Sequence, residues 1–168
     1  MPTRLSPRLA AIVDALPLRP GMRVLEIGCG PGAAAREIAR RIEDGHVLAI
    51  DRSATAVAQA VALSRKEIAA GVMSVRRAAI EDFELEPGEA PYDLALAVRV
   101  GALDGRHPDA GRVALQRIAK ALTKKGRLFI DGKPLERGGR TAPPARPAAR
   151  PPRPPANRRP RSRLRPRR

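Results

Sequence analysis

The 168-residue chain has one cysteine, no tryptophan, one tyrosine, two phenylalanines and two histidines. With Cys29 alone, no intramolecular disulfide can form, which points to a reducing compartment. Two histidines and one cysteine without clustered spacing leave no ligand set for a metal. No apolar run is long enough to span a membrane. Arg8 and Asp14 interrupt the apolar positions of the N-terminus, so the layout of a secretory signal is missing as well. A soluble cytoplasmic protein with no membrane partner is the expectation.

Positive charge is abundant, and it is unevenly placed. Residues 1–132 carry 20 Lys and Arg against 16 Asp and Glu, whereas residues 133–168 carry 13 against 1. The first stretch reads as one folded domain of nearly balanced charge, the second as a basic tail. From Gly138 to Arg168 every residue except Thr141, Asn157, Ser162 and Leu164 is Arg, Pro, Ala or Gly. Such a segment cannot build a core, and its prolines forbid helix and sheet, so disorder with polyproline II character is expected. Clustered arginines would give non-specific, salt-sensitive nucleic-acid contact, without aromatic platforms for bases. A blander account carries more weight. These four residue types share codons opening with two G or C bases, so a GC-rich gene read out of frame yields the same composition.

Along residues 1–132, short apolar runs alternate with helical patterns. Leu5, Leu9, Ile12, Val13 and Leu16 share one helical face, with Ser6 as N-cap and Pro7 in the first turn, which predicts a helix over 5–16. Strands are predicted at 24–27, 46–50, 73–76, 92–98 and 127–131. Helices are predicted after 33, from Ser53 through a stripe of Val57, Val61, Ser64 and Ile68, and around Val113 to Leu122. Lys124 to Gly126 read as a turn. The alternation predicts an α/β three-layer sandwich around a mostly parallel sheet of about five strands.

The chemistry is concentrated in Val24-Leu25-Glu26-Ile27-Gly28-Cys29-Gly30-Pro31-Gly32, an apolar strand running into alternating glycines. Gly28, Gly30 and Ala33 also satisfy the loose dinucleotide-binding pattern. Glu26 separates the two readings, because a carboxylate beside the turn repels a pyrophosphate and attracts an ammonium group. The motif resembles the first motif of the class I S-adenosylmethionine-dependent methyltransferases. Three further segments extend the likeness from about Leu18 to Asp131: Ile50-Asp51, Pro91 to Ala97, and Leu115 to Ile130. The resemblance implies a Rossmann-like methyltransferase fold and S-adenosyl-L-methionine as cofactor. It places that cofactor on Glu26, Gly28, Cys29, Gly30, Gly32, Asp51, Arg52, Ile80, Glu81 and Arg99, with Asp51 on the ribose hydroxyls. Cys29 reads as packing, since no histidine lies nearby in sequence to activate it.

Two departures from the family pattern stand out. Ala79 occupies the position where an acidic residue usually meets the adenine amino group, so Glu81 or Asp82 takes that role, or stacking and the Ile80 backbone do. The family's last two strands have no counterpart after Asp131. The strand at Arg127–Ile130 would then be an exposed edge, to be met by a homodimer, by coverage from the tail, or by an incomplete domain. For catalysis, methyl transfer needs positioning above all. His107 and Asp104, in the loop after the fourth strand, are the candidate bases. The acceptor expected is a small molecule. The alternatives are a nucleic-acid methyltransferase using the tail and a truncated or frameshifted domain without activity.

Overall fold

The computed structural model describes residues 5–136; the basic tail called from the sequence lies outside them apart from its first four residues. In order, the elements are α1 (Pro7–Asp14), β1 (Arg23–Ile27), α2 (Ala33–Arg41), β2 (His46–Asp51), α3 (Ala54–Leu63), α4 (Arg65–Ala69), β3 (Met73–Arg77), β4 (Tyr92–Ala97), α5 (Pro108–Ala121), β5 (Leu122–Ile130) and β6 (Lys133–Pro134), with single 3₁₀ turns at Ile80–Asp82 and Gly101–Leu103. The strand order is β3-β2-β1-β4-β5-β6. The first five strands run parallel, and β6 is antiparallel to β5.

The continuous apolar runs of β1, β2 and β4 follow from burial on both faces of the sheet. Side chains alternate between the faces. Val24, Val47, Ala49, Leu94, Leu96 and Phe129 pack against Ile12, Val13, Ile38, Ile42 and Ala60 from α1, α2 and α3. Leu25, Ile27, Leu48, Ile50, Ala95 and Ala97 pack against Phe83, Ala114 and Ile118 on the other side. Each fully buried aliphatic side chain contributes about 1.5–3 kcal/mol. Arg41 on α2 bridges Asp14 of α1 at 2.7 Å and Glu37 at 2.9 Å, tying the first helix to the layer beneath it.

The structure corrects several sequence expectations. The sheet has six strands, because Lys133–Pro134 pairs with Phe129 and Ile130. The fifth strand begins at Leu122, so the predicted Lys124–Gly126 turn lies within it, at an irregularity in the pairing with β4. The N-terminal helix is shorter than 5–16, ending at Asp14 with Ala15 as C-cap. The single helix drawn from Ser53 through Ile68 breaks at Ser64 into α3 and α4. Val61, placed on its buried stripe, is 42% exposed, and Ala60 is buried instead. Between β3 and β4 three acidic residues are held by ion pairs, Arg76 meeting Glu86 at 3.2 Å and Glu89 at 3.0 Å, and Arg117 meeting Glu84.

Candidate functional site

In a parallel sheet the ligand edge lies outside the carboxyl ends of the strands. Here that edge carries a cleft of about 480 Å³. Its walls come from Ile27 and Gly28 after β1, Asp51 and Arg52 after β2, Ala78 to Glu81 after β3, Arg99 to Ala102 after β4, and His107 and Ala110 at the start of α5.

The glycine turn defines the chemistry of the β1 side. Gly28, Gly30 and Gly32 all have positive φ, at 71°, 51° and 75°, a conformation that costs an L side chain energy. A Cβ at Gly28 would also stand 3.0 Å from Val100 Cγ2, a cleft wall. The backbone donors of the turn are spent inside the protein. Gly28 and Cys29 N–H donate to the Ile50 carbonyl at 2.8 and 3.0 Å, and Gly32 N–H donates to the Cys29 carbonyl at 2.9 Å. Gly30 N–H donates to Asp51 Oδ2 at 2.9 Å, and Pro31 has no N–H. A phosphate cradle needs free amides at such a turn; residues 28–32 offer none. Asp51 Oδ1 also accepts from Ser53 N–H at 2.8 Å, which fixes the carboxylate on the cleft wall.

Behind the turn lies a polar cluster around Arg36, a residue that nothing in the sequence singled out. Arg36 on α2 is 5% exposed. Its Nη1 donates to the Pro31 carbonyl at 2.8 Å and to Ser64 Oγ at 3.2 Å. Burying a guanidinium costs several kcal/mol unless its donors are met. The Nη1 bonds hold the turn against the break between α3 and α4, while the buried Nη2 has no partner among the described residues and leaves part of that cost standing. Glu26, 4% exposed, points to the same face of the sheet. Burial pushes its carboxyl from 4.5 up to about 8, with Asp51 adding, while a backbone hydrogen bond from Ala35 and the Arg36 charge pull the other way. Its Oε2 is buried with no partner among the described residues, so a charge there would go unmet by any hydrogen-bond donor. Cys29 is buried and its thiol is pushed up to about 12, first by burial and then by Glu26 and Asp51, so it is no nucleophile. Arg36→Met, keeping bulk but losing both hydrogen bonds, is expected to lower unfolding free energy by about 1–3 kcal/mol in urea. A variant as stable as the parent would show that the guanidinium does not hold the turn.

The sequence-predicted residues divide. Gly28, Asp51, Arg52, Ile80, Glu81 and Arg99 line the cleft, and His107 joins them. Glu26, Cys29, Gly30 and Gly32 build and brace the turn without lining it. Of the two acidic residues offered to replace the one missing at Ala79, Glu81 reaches the wall and Asp82 does not. Asp104 is outside the lining set, its Oδ1 accepting from Arg106 N–H at 3.0 Å and its Oδ2 from Arg106 Nε at 2.6 Å. Arg106 accordingly holds its carboxyl below the ordinary range.

Comparison with known proteins gives a consistent result. A family model described as a methyltransferase domain matches residues 24–126. A protein-L-isoaspartate O-methyltransferase of Methylorubrum populi is 35% identical over 133 residues, covering 79% of this chain and 54% of that one. Its counterpart in Methylorubrum extorquens is also 35% identical, with 79% and 50% covered. The chain thus spans about half the length of the curated relatives it matches. Among solved structures, a methyltransferase of Thiobacillus denitrificans in complex with S-adenosyl-L-homocysteine superimposes with a TM-score of 0.59 at 22% identity, covering 77% of this chain and 50% of that one. One from Geobacter sulfurreducens, in the same complex, gives 0.59 at 22% identity, with 77% and 49% covered. Among the described residues no helix is long and apolar enough to cross a membrane.

Proposed function

This chain belongs to the methyltransferase-domain family, and from that membership we propose that it moves a methyl group from S-adenosyl-L-methionine to an acceptor held in the cleft. The observation that carries the choice of cofactor is the glycine turn with every amide spent internally beside the Asp51 carboxylate. That arrangement gives a pyrophosphate no donors and gives a nucleoside its hydroxyl acceptor. The residues present fit the group. Asp51 would receive the ribose hydroxyls, Ile80 and Glu81 the base, and the Gly28 end of the turn the amino-acid portion. When bound, the cofactor would supply an electrophilic methyl group on a sulfonium.

What remains for the protein is to hold the acceptor close, keep water out and take a proton where the acceptor has one to lose. His107 lines the cleft, and a ring nitrogen of its imidazole is the proton acceptor in this reading. Asp104 is set aside, because both of its oxygens are engaged by Arg106. The acceptor we favour is a small molecule; the names of the two Methylorubrum relatives support a protein carboxyl group as the second reading. Calorimetric titration tests the cofactor assignment. S-Adenosylhomocysteine is expected to bind with micromolar affinity and NAD at least 100-fold more weakly. Equal or stronger NAD binding would overturn it. Methyl transfer to a free carboxylic acid, compared with an isoaspartyl peptide, then separates the two acceptors.

A further inference from the structure

Arg99 is the second residue past β4, and it stands in the left-handed region at φ 55°. An arginine there is strained where a glycine would not be. The surrounding structure enforces the conformation. Arg99 N–H donates to Asp131 Oδ1 at 3.3 Å, Asp131 N–H donates to the Ala97 carbonyl at 2.9 Å, and Asp131 itself sits at φ 49°. Arg8 of α1 closes on the same carboxylate at 3.5 Å. Two strained residues at the ends of neighbouring strands therefore brace each other, and the braced backbone carries an arginine side chain to the cleft wall.

That guanidinium is exposed and has no hydrogen bond or ion pair among the described residues. The same holds for Arg52 on this cleft, whereas Arg8, Arg76, Arg106, Arg112 and Arg117 have carboxylate partners. Only Arg99 is unpaired on a strained backbone. The carboxylates sharing its cleft are Asp51, held by two backbone amides, and Glu81. A glycine at position 99 would remove the strain, so packing and backbone geometry do not account for an arginine there. A free guanidinium on a cleft wall matches a planar carboxylate through two parallel hydrogen bonds, and the absence of free turn amides argues against a phosphate.

We propose that Arg99 is a carboxylate-recognition residue of the cleft, held in place by the Asp131 brace. Two sources share this chemistry: the amino-acid carboxylate of the cofactor and a carboxylate on the acceptor. Assigning it to either rests on the methyltransferase reading above; the recognition itself does not.

The test is calorimetry on the full chain, its Arg99→Gly variant and its Arg99→Lys variant. Four probes are used: S-adenosylhomocysteine, 5′-methylthioadenosine (which lacks the amino-acid end), sodium succinate and neutral succinamide, at matched ionic strength. Arg99→Gly is expected to keep or raise the melting temperature, because glycine takes φ 55° without strain. It is also expected to lose at least tenfold in affinity for one carboxylate probe, with partial rescue in Arg99→Lys. A loss for S-adenosylhomocysteine but not for methylthioadenosine assigns the cofactor carboxylate. A loss for succinate, with succinamide not bound, assigns the acceptor. Equal losses for S-adenosylhomocysteine and methylthioadenosine would reveal general damage and overturn the proposal, as would no loss for either carboxylate. If the parent binds succinate through Arg99 but neither nucleoside, the cofactor reading falls and the Arg99 site stands.

Discussion

Asp51→Ala is expected to abolish measurable binding of S-adenosylhomocysteine, a loss of more than 100-fold against the parent by calorimetry. The size follows from what the carboxylate does. It accepts from Gly30 N–H at 2.9 Å and from Ser53 N–H at 2.8 Å, and lone pairs are left for the two hydroxyls of a ribose. Hydrogen bonds to a charged partner contribute about 1.5–3 kcal/mol each, so losing two towards the ligand removes about 3–6 kcal/mol, or a factor of about 10² or more. Release of Gly30 N–H also loosens the turn. Asp51→Asn keeps the shape but replaces one acceptor oxygen by a donor, so an intermediate loss is expected. If Asp51→Ala bound the ligand within threefold of the parent, the nucleoside would have to lie elsewhere, and the proposed cofactor site would be wrong.

The second large effect concerns stability and pH. Glu26 is raised from 4.5 to about 8 in the folded protein, first by burial. Between these values the native state holds a proton that the unfolded chain has released, so stability falls as pH rises. The contribution is complete below pH 4.5 and gone above pH 8. A displacement of this size corresponds to on the order of 5 kcal/mol across the window. Glu37, Glu89 and Asp104 are lowered below the ordinary carboxylate range by arginine and hydroxyl partners. Their contributions are therefore steady above pH 5 and do not mask the trend. Glu26→Gln carries no titrating proton. It should match the parent at pH 5 and exceed it by several kcal/mol at pH 8.5, measured by urea unfolding. Parallel pH profiles for the two proteins would show that the Glu26 carboxyl is not raised in the folded protein.

The layers and the positions of the central strands were readable in the chain because β1, β2 and β4 are buried on both faces. Such strands must be unbroken apolar runs, and Val24–Ile27 and Val47–Ile50 announce themselves. Cleft residues Gly28 and Asp51 were readable for a related reason: a glycine and an acid at the end of a buried strand have few other uses. Arg36 was not, since an arginine on an amphipathic helix is ordinarily solvated, and only the fold reveals that it faces Pro31 and Ser64. The break at Ser64 falls in an alanine-rich run without glycine or proline, where the sequence carries no stop signal, and the Ser64 hydroxyl there accepts from Arg36. The positive φ values of Arg99 and Asp131 lack the usual glycine or asparagine signal, because tertiary hydrogen bonds impose them. The two-residue β6 is too short for any period, and it contains a proline.

That short sixth strand has a practical corollary for handling the protein. It pairs only Phe129 and Ile130, so among the described residues the outer side of β5 from Leu122 to Leu128 has no strand against it. Lys124, Lys125 and Arg127 are exposed along that stretch, and two copies meeting edge to edge would bring these charges together. The protection is electrostatic and shrinks with the Debye length, from about 30 Å at 0.01 M salt to about 3 Å at 1 M. Concentrated stocks will therefore stay clear in dilute buffer and turn cloudy in brine, the reverse of the habit of adding salt to keep a strongly basic protein in solution.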